Sequence, residues 1–161
     1  MFASDEQIEP VTVALIPGGE FHAIWGADRP VALPLDGDPA RTADWFPPPD
    51  GFRVAFVTIP PQTSGNSADL DLDAAIAELQ HKLPGMAETL DPENPGMHTT
   101  DTVDFGVVLS GSVWLELNES DQLELRAGDC IVQNGTRHAW RNRSREPCVM
   151  AVAIIGATRS G

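Results

Sequence analysis

From Pro95 onward the chain is cut by turn residues into short, regularly spaced apolar segments, and this cadence limits the fold more than any other feature. The segments run 98–110, 112–118, 121–126, 129–133, 137–142 and 147–155. They are separated by Ser110-Gly111, Asn118-Glu-Ser-Asp121, Ala127-Gly128, Asn134-Gly135 and Arg143-Ser-Arg-Glu146. Strands this short leave many edges, which a barrel or double sheet closes, so a jelly roll is expected. Upstream, Val11–Leu15, Glu20–Trp25 and Phe52–Ile59 also read as strands, the last stopped by Pro60-Pro61. Residues 26–52 form a loop rich in Pro, Gly and Asp, with Trp45-Phe46 expected to be pinned against the barrel. Ser64–Asp71 is a polar linker. After it, apolar residues at 72, 75, 76, 79 and 83 mark one helix face, ended by Pro84-Gly85.

A chain of 161 residues suffices for one domain with a proper core. The organisation expected is one all-β domain. Strands and the long loop occupy 1–60, linker and helix 61–94, and the barrel core 95–156. Ten basic against 24 acidic residues give a net charge of −14. That balance disfavours nucleic acid and anionic lipid as partners. The first ten residues lack the basic and apolar regions of a secretory signal, and no apolar run reaches the ~20 residues that span a bilayer. A cytoplasmic location is expected. Cys130 and Cys148 are not a Cys-x-x-Cys pair and read as buried apolar residues, not a disulfide.

The candidate chemistry lies in two segments. Alternation along a strand puts His98, Thr100, Thr102 and Asp104 on one face. In the return segment His138, Trp140 and Asn142 share a face, with Arg141 on the other. His22 and His81 read as an interface or core residue and a solvated residue. No nucleophile elbow or phosphate-cradling glycine loop occurs.

These two segments resemble the motifs of the cupin superfamily. The first motif (His-x-His, three or four residues, Glu, six residues, Gly) is similar to His98-Thr-Thr100, three residues, Asp104, six residues, Gly111. The second (Gly, a short run, Pro-x-Gly, two residues, His, three residues, Asn) is similar to Gly128-Asp129, Gln133-Asn-Gly135, His138 and Asn142. The resemblance implies a single-domain cupin-type jelly-roll β-barrel with an N-terminal strand extension and one short helix. It implies a divalent metal such as Zn, Fe, Mn or Ni on His98, Asp104 and His138, and no organic cofactor. Here Thr100 stands where the family has a second His, and Asp104 is one methylene shorter than Glu. The set left is two imidazoles and one carboxylate, against a metal-free polar pocket floor.

The function expected is a lyase- or isomerase-type enzyme performing dehydration, decarboxylation or cyclisation on a small carbonyl or carboxylate metabolite. His98 or His138 would move the proton, with Asp104 orienting it and raising its pKa. Thr100, Val108, Gln133 and Trp140 would line the substrate pocket. The alternatives are a non-catalytic small-molecule-binding module and an Fe(II) dioxygenase. Besides its ligand, a second copy of the chain is the partner expected, since 148–155 is apolar on both faces and Trp114, if its face of the strand is the outer one, would mark a subunit interface.

Overall fold

The computed structural model describes residues 7–33, 42–62 and 70–159. The middle of the long loop and most of the Ser64–Asp71 linker lie outside those residues. The described residues form eight strands: β1 (Glu20–Ala27), β2 (Phe52–Ile59), β3 (Thr102–Ser110), β4 (Ser112–Glu116), β5 (Gln122–Arg126), β6 (Cys130–Gln133), β7 (Ala139–Arg141) and β8 (Cys148–Gly156). Among the described residues one helix, α1 (Leu72–Lys82), and a 3-10 turn at Ala87–Thr89 interrupt them. The strands form two antiparallel sheets, β1-β2-β8-β3-β6 and β5-β4-β7. The protein is all-β in class, with one short helix.

β2 pairs with β8 along its full length, Phe52 opposite Ile155 through Ile59 opposite Cys148. The N-terminal strands therefore belong to the same sheet as the strands that follow Pro95. The Val11–Leu15 strand shrinks to one bridge between Val11 and Phe21. Its neighbours are held by the helix instead: Ala14 N–H donates to Glu78 at 2.8 Å and Lys82 donates to the Thr12 carbonyl at 2.8 Å.

Asp71 caps α1, its carboxylate accepting from Ala74 N–H at 3.1 Å. The helix buries Ala75 and Leu79, while Leu72, counted on the same face, stays exposed. Leu79, Leu83 and Met86 pack with Val13 and Phe21, and Trp45 and Phe46 lie against them as expected. A second cluster, Val108, Val113, Leu125, Cys148 and Met150, fills the other end between the sheets. Cys148 is buried as expected, but Cys130 is exposed on β6. Among the described residues no helix is long and apolar enough to cross a membrane.

Candidate active site

Between the two clusters lies a cavity of about 300 Å³, at the small end of ligand pockets. Side chains from both sheets, the 45–46 loop and the 86–90 segment line it. The inward row of β3 decides its polar side. Thr102, Asp104, Gly106 and Val108 follow the parity expected of alternate residues. Asp104 and Gly106 reach the cavity, whereas Val108 sits at 1 % exposure within the second cluster and lines nothing. Thr100 is also inward and buried, but its hydroxyl is taken by Thr102 at 2.8 Å and it too is outside the cavity wall. Parity separates inside from outside. It does not separate a cavity from packed core.

His98 and His138 come together through backbone pairing. Each donates its N–H to the other's carbonyl, at 2.9 and 3.0 Å, an antiparallel bridge that sets their side chains side by side. The rings lie 4.2 Å apart between centroids, tilted by 53°. Gly135 enforces this approach. Its φ is +60°, and a Cβ there would stand 2.9 Å from the Thr100 carbonyl oxygen, so only glycine lets the second segment lie against the first. Asn142 also serves the framework, donating to the Ile59 and Glu146 carbonyls at 2.9 and 2.8 Å.

The two imidazoles have different stations. His98 and Trp140 line the cavity, while His138 is 1 % exposed, edge-on to Trp140 and outside the wall. Asp104 does not orient either ring. Nδ1 of His98 contacts the Gly96 carbonyl at 3.2 Å, and Nδ1 of His138 the Thr136 carbonyl at 2.8 Å. Main-chain oxygens thus place the proton on Nδ1 and leave each Nε2 a lone pair. Nor is the imidazole pKa raised. Burial lowers that of His138 to about 4, helped by neighbouring His98. Burial also lowers that of His98, against the pull of the Gly96 carbonyl.

Asp104 is the odd group. Its Oδ1 is buried without a hydrogen-bond partner. Burial pushes the carboxyl up to about 6, with the Thr102 hydroxyl pulling the other way. Opposite it across the β3–β6 pair stands Gln133, whose amide is tied to Thr136 at 2.6 and 3.1 Å. Gln133 lines the cavity, but its N–H groups hold the turn before His138.

A metal does not fit this arrangement as it stands. Among the described residues no three His, Cys, Asp or Glu side chains converge on one point. His98 and His138 alone fall short of the three or four ligands a bound divalent ion takes. After loading with Zn²⁺ or Fe²⁺ and dialysis, elemental analysis is expected to find well under one equivalent retained. One tightly held equivalent would overturn this. Thr100→His is expected to cost about 1–3 kcal/mol in urea unfolding through overpacking, without raising metal retention.

Sequence reasoning missed most of the apolar wall: Phe21, Met86, Leu90, Ile131, Met150 and Ile154. Phe21, Ile131, Met150 and Ile154 lie on strands and their parity was readable, but not which of them face empty space, and Met86 and Leu90 lie outside any strand.

Comparison with known proteins bears on this same stretch. Residues 87–155 match the family model Cupin_2, described as "Cupin domain". "Phomopsin biosynthesis cluster protein C'" of Diaporthe leptostromiformis is 50 % identical over 48 residues, 30 % of this chain and 25 % of that protein. "Oryzines biosynthesis cluster protein J" of Aspergillus oryzae is 43 % identical over 60 residues, 37 % of this chain and 34 % of that protein. The chain thus spans about a quarter to a third of the length of these curated relatives. Among solved structures, a Cupin 2 conserved barrel domain protein from Salinispora arenicola aligns over 96 % of this chain and 92 % of its own, at 14 % identity and TM-score 0.47. The family model spans both motifs, from His98 through Asn142, so it is residues 87–155 of this chain that match the cupin domain family.

Proposed function

We propose that the protein is a proton-transfer enzyme of the isomerase or lyase class acting on a small carbonyl compound held in the barrel cavity. One observation carries this: His98, whose Nε2 has no hydrogen-bond partner, and Asp104, whose buried Oδ1 has none, line the same largely apolar cavity. Protonated Asp104 donates to the substrate carbonyl oxygen while His98 Nε2 removes a proton from the adjacent carbon, giving an enol. Returning the proton to a different carbon completes an isomerisation. Expelling a β-hydroxyl as water completes a dehydration. His138 is a positioning residue, braced by Thr136 and lying against His98. Similarity to proteins named for biosynthesis clusters supports a small-metabolite substrate. The test is α-proton exchange: the protein in D₂O with methyl ketones, followed by NMR. Exchange above the buffer rate that vanishes in His98→Gln is the expected result. No exchange with ketones that bind would leave the second reading, a binding module with the same cavity.

The enzyme works as a homodimer in this proposal, joined through the outer face of the five-stranded sheet. The outward residues of β2, β8, β3 and β6 include Val54, Phe56, Ala151, Ala153, Phe105 and Val132, with Trp25 beside Val54 on β1. Phe56, Phe105, Val132 and Ile155 are 40–53 % exposed. In a chain of net charge −14 this face carries no Asp, Glu, Lys or Arg between its ends, so two copies meet there without repulsion. Five strands at ~4.8 Å and eight residues at ~3.3 Å give on the order of 600 Å² per copy, the lower limit for a specific interface. Light scattering is expected to give twice 17.3 kDa, and Phe105→Lys the monomer mass. A monomeric parent at micromolar concentration would sink the dimer.

A further inference from the structure

The cavity wall, among the described residues, contains no Lys and no Arg; its only ionisable groups are His98 and Asp104. Its hydroxyl and side-chain amide donors are already committed, Thr58 to Glu20 at 3.4 Å, and the indole N–H groups of Trp45 and Trp140 are neutral. The Thr89 hydroxyl donates to the Met86 carbonyl at 2.7 Å, and the Gln133 amide is spent on Thr136. His98 keeps its N–H on the Gly96 carbonyl. Arg141 is the cation that His98 feels, but it lies outside the wall. Its guanidinium is held by Glu116 at 3.1 Å and by the Pro95 carbonyl at 2.9 Å. Around this polar corner the wall is apolar, from Trp45, Phe46 and Trp140 to Met150 and Ile154.

A carboxylate or phosphate entering here would lose its water, find no uncommitted cation, and face the Asp104 carboxyl. Burial without compensation is heavily unfavourable for an anion. A neutral carbonyl has no charge to desolvate and needs only one donor, which the Asp104 O–H supplies below about pH 6. A cavity of about 300 Å³ holds roughly ten water volumes, the bulk of one fused or substituted ring system. We infer that the site is specific for neutral, largely hydrocarbon ketones or aldehydes of about that size, and rejects the anionic acids that the sequence left equally open. The inference deepens the proton-transfer reading and rests on it for the role of the carbonyl.

The experiment uses two ligands of equal size, 2-acetonaphthone and 2-naphthoate, titrated into the full chain at pH 7. Calorimetry or the fluorescence of wall residues Trp45 and Trp140 reports binding. The ketone is expected to bind at least tenfold more tightly than the carboxylate. Asp104→Asn, which removes the facing charge, is expected to narrow that ratio several-fold. Equal or tighter binding of naphthoate overturns the inference, as does failure of both ligands to bind at millimolar concentration. The same ketone read for α-deuterium exchange separates the two ideas. Preference without exchange sinks the proton-transfer reading alone. Exchange with equal affinity for the carboxylate sinks the specificity alone.

Discussion

Replacing His98 with Gln lowers the rate of α-proton exchange by about 10²–10⁴, the usual worth of a positioned general base, with ligand affinity nearly unchanged. Gln fills similar space and keeps a polar end at the cavity, so the loss falls on kcat and not on KM. The companion variant is Asp104→Asn, and its signature is in the pH profile. In the parent the acid must be protonated. Burial holds that proton up to about pH 6, so activity falls roughly tenfold per unit above it. The base must be neutral, and burial lowers the His98 pKa from 6.5, so the acid limb lies below that value. The profile is a bell with its maximum on the acid side of neutrality. Asn keeps an N–H donor for the carbonyl oxygen but cannot ionise. Asp104→Asn therefore flattens the limb above pH 6 while retaining a reduced rate. A profile with the same alkaline limb in the Asn variant would remove Asp104 from the acid role.

How much of this site was readable in the linear chain differs residue by residue. The row of β3 was carried by strand alternation, a local property of the backbone, whereas His98 and His138 were brought into one site only by the resemblance to the cupin motifs. The fate of each inward residue was not local. Val108 and Asp104 have the same parity, yet one is sealed in core against Val113, Leu125, Cys148 and Met150 and one lines the cavity, a difference set by what packs over each from other elements. Asp104 was expected to orient His98 or His138 because the two motifs place all three in one site, but carbonyls two residues away in each case are the partners. No side-chain pattern announces a main-chain acceptor. Arg53 escaped notice for a similar reason. It is 5 % exposed, bound to Asp28 at 2.6 Å and to the Asp44 and Ala27 carbonyls at 3.0 and 3.1 Å. An Arg in a run of apolar residues looks like a strand-edge charge, whereas here it ties both ends of the long loop to β2.

That loop supplies the second large effect, and the residue that controls it is far from the chemistry. Gly156, the last residue of β8, donates its N–H to the Gly51 carbonyl at 2.9 Å. A Cβ at 156 would collide with the Pro48 carbonyl, which is backbone and cannot rotate away. Gly156→Ala must therefore lift the 47–51 segment off the sheet. The segment is anchored upstream by Trp45 N–H on the Pro84 carbonyl at 2.8 Å and by the edge-on packing of Trp45 against Phe21. Pushing on its other end pulls Trp45 and Phe46 from the cavity wall. The expected result is a loss of roughly 2–4 kcal/mol in denaturant unfolding, the range of a forced overpacking plus loss of aromatic burial. Ketone affinity is expected to fall at least tenfold, with a red-shifted Trp emission as Trp45 becomes wetter. Because His98 and Asp104 keep their backbone partners, exchange at saturating ketone should change far less than affinity. If affinity survives while stability falls, Trp45 and Phe46 are packing for the sheet and not a wall for the ligand. A parallel fall in affinity and emission, with kcat preserved, makes the long loop part of the binding site.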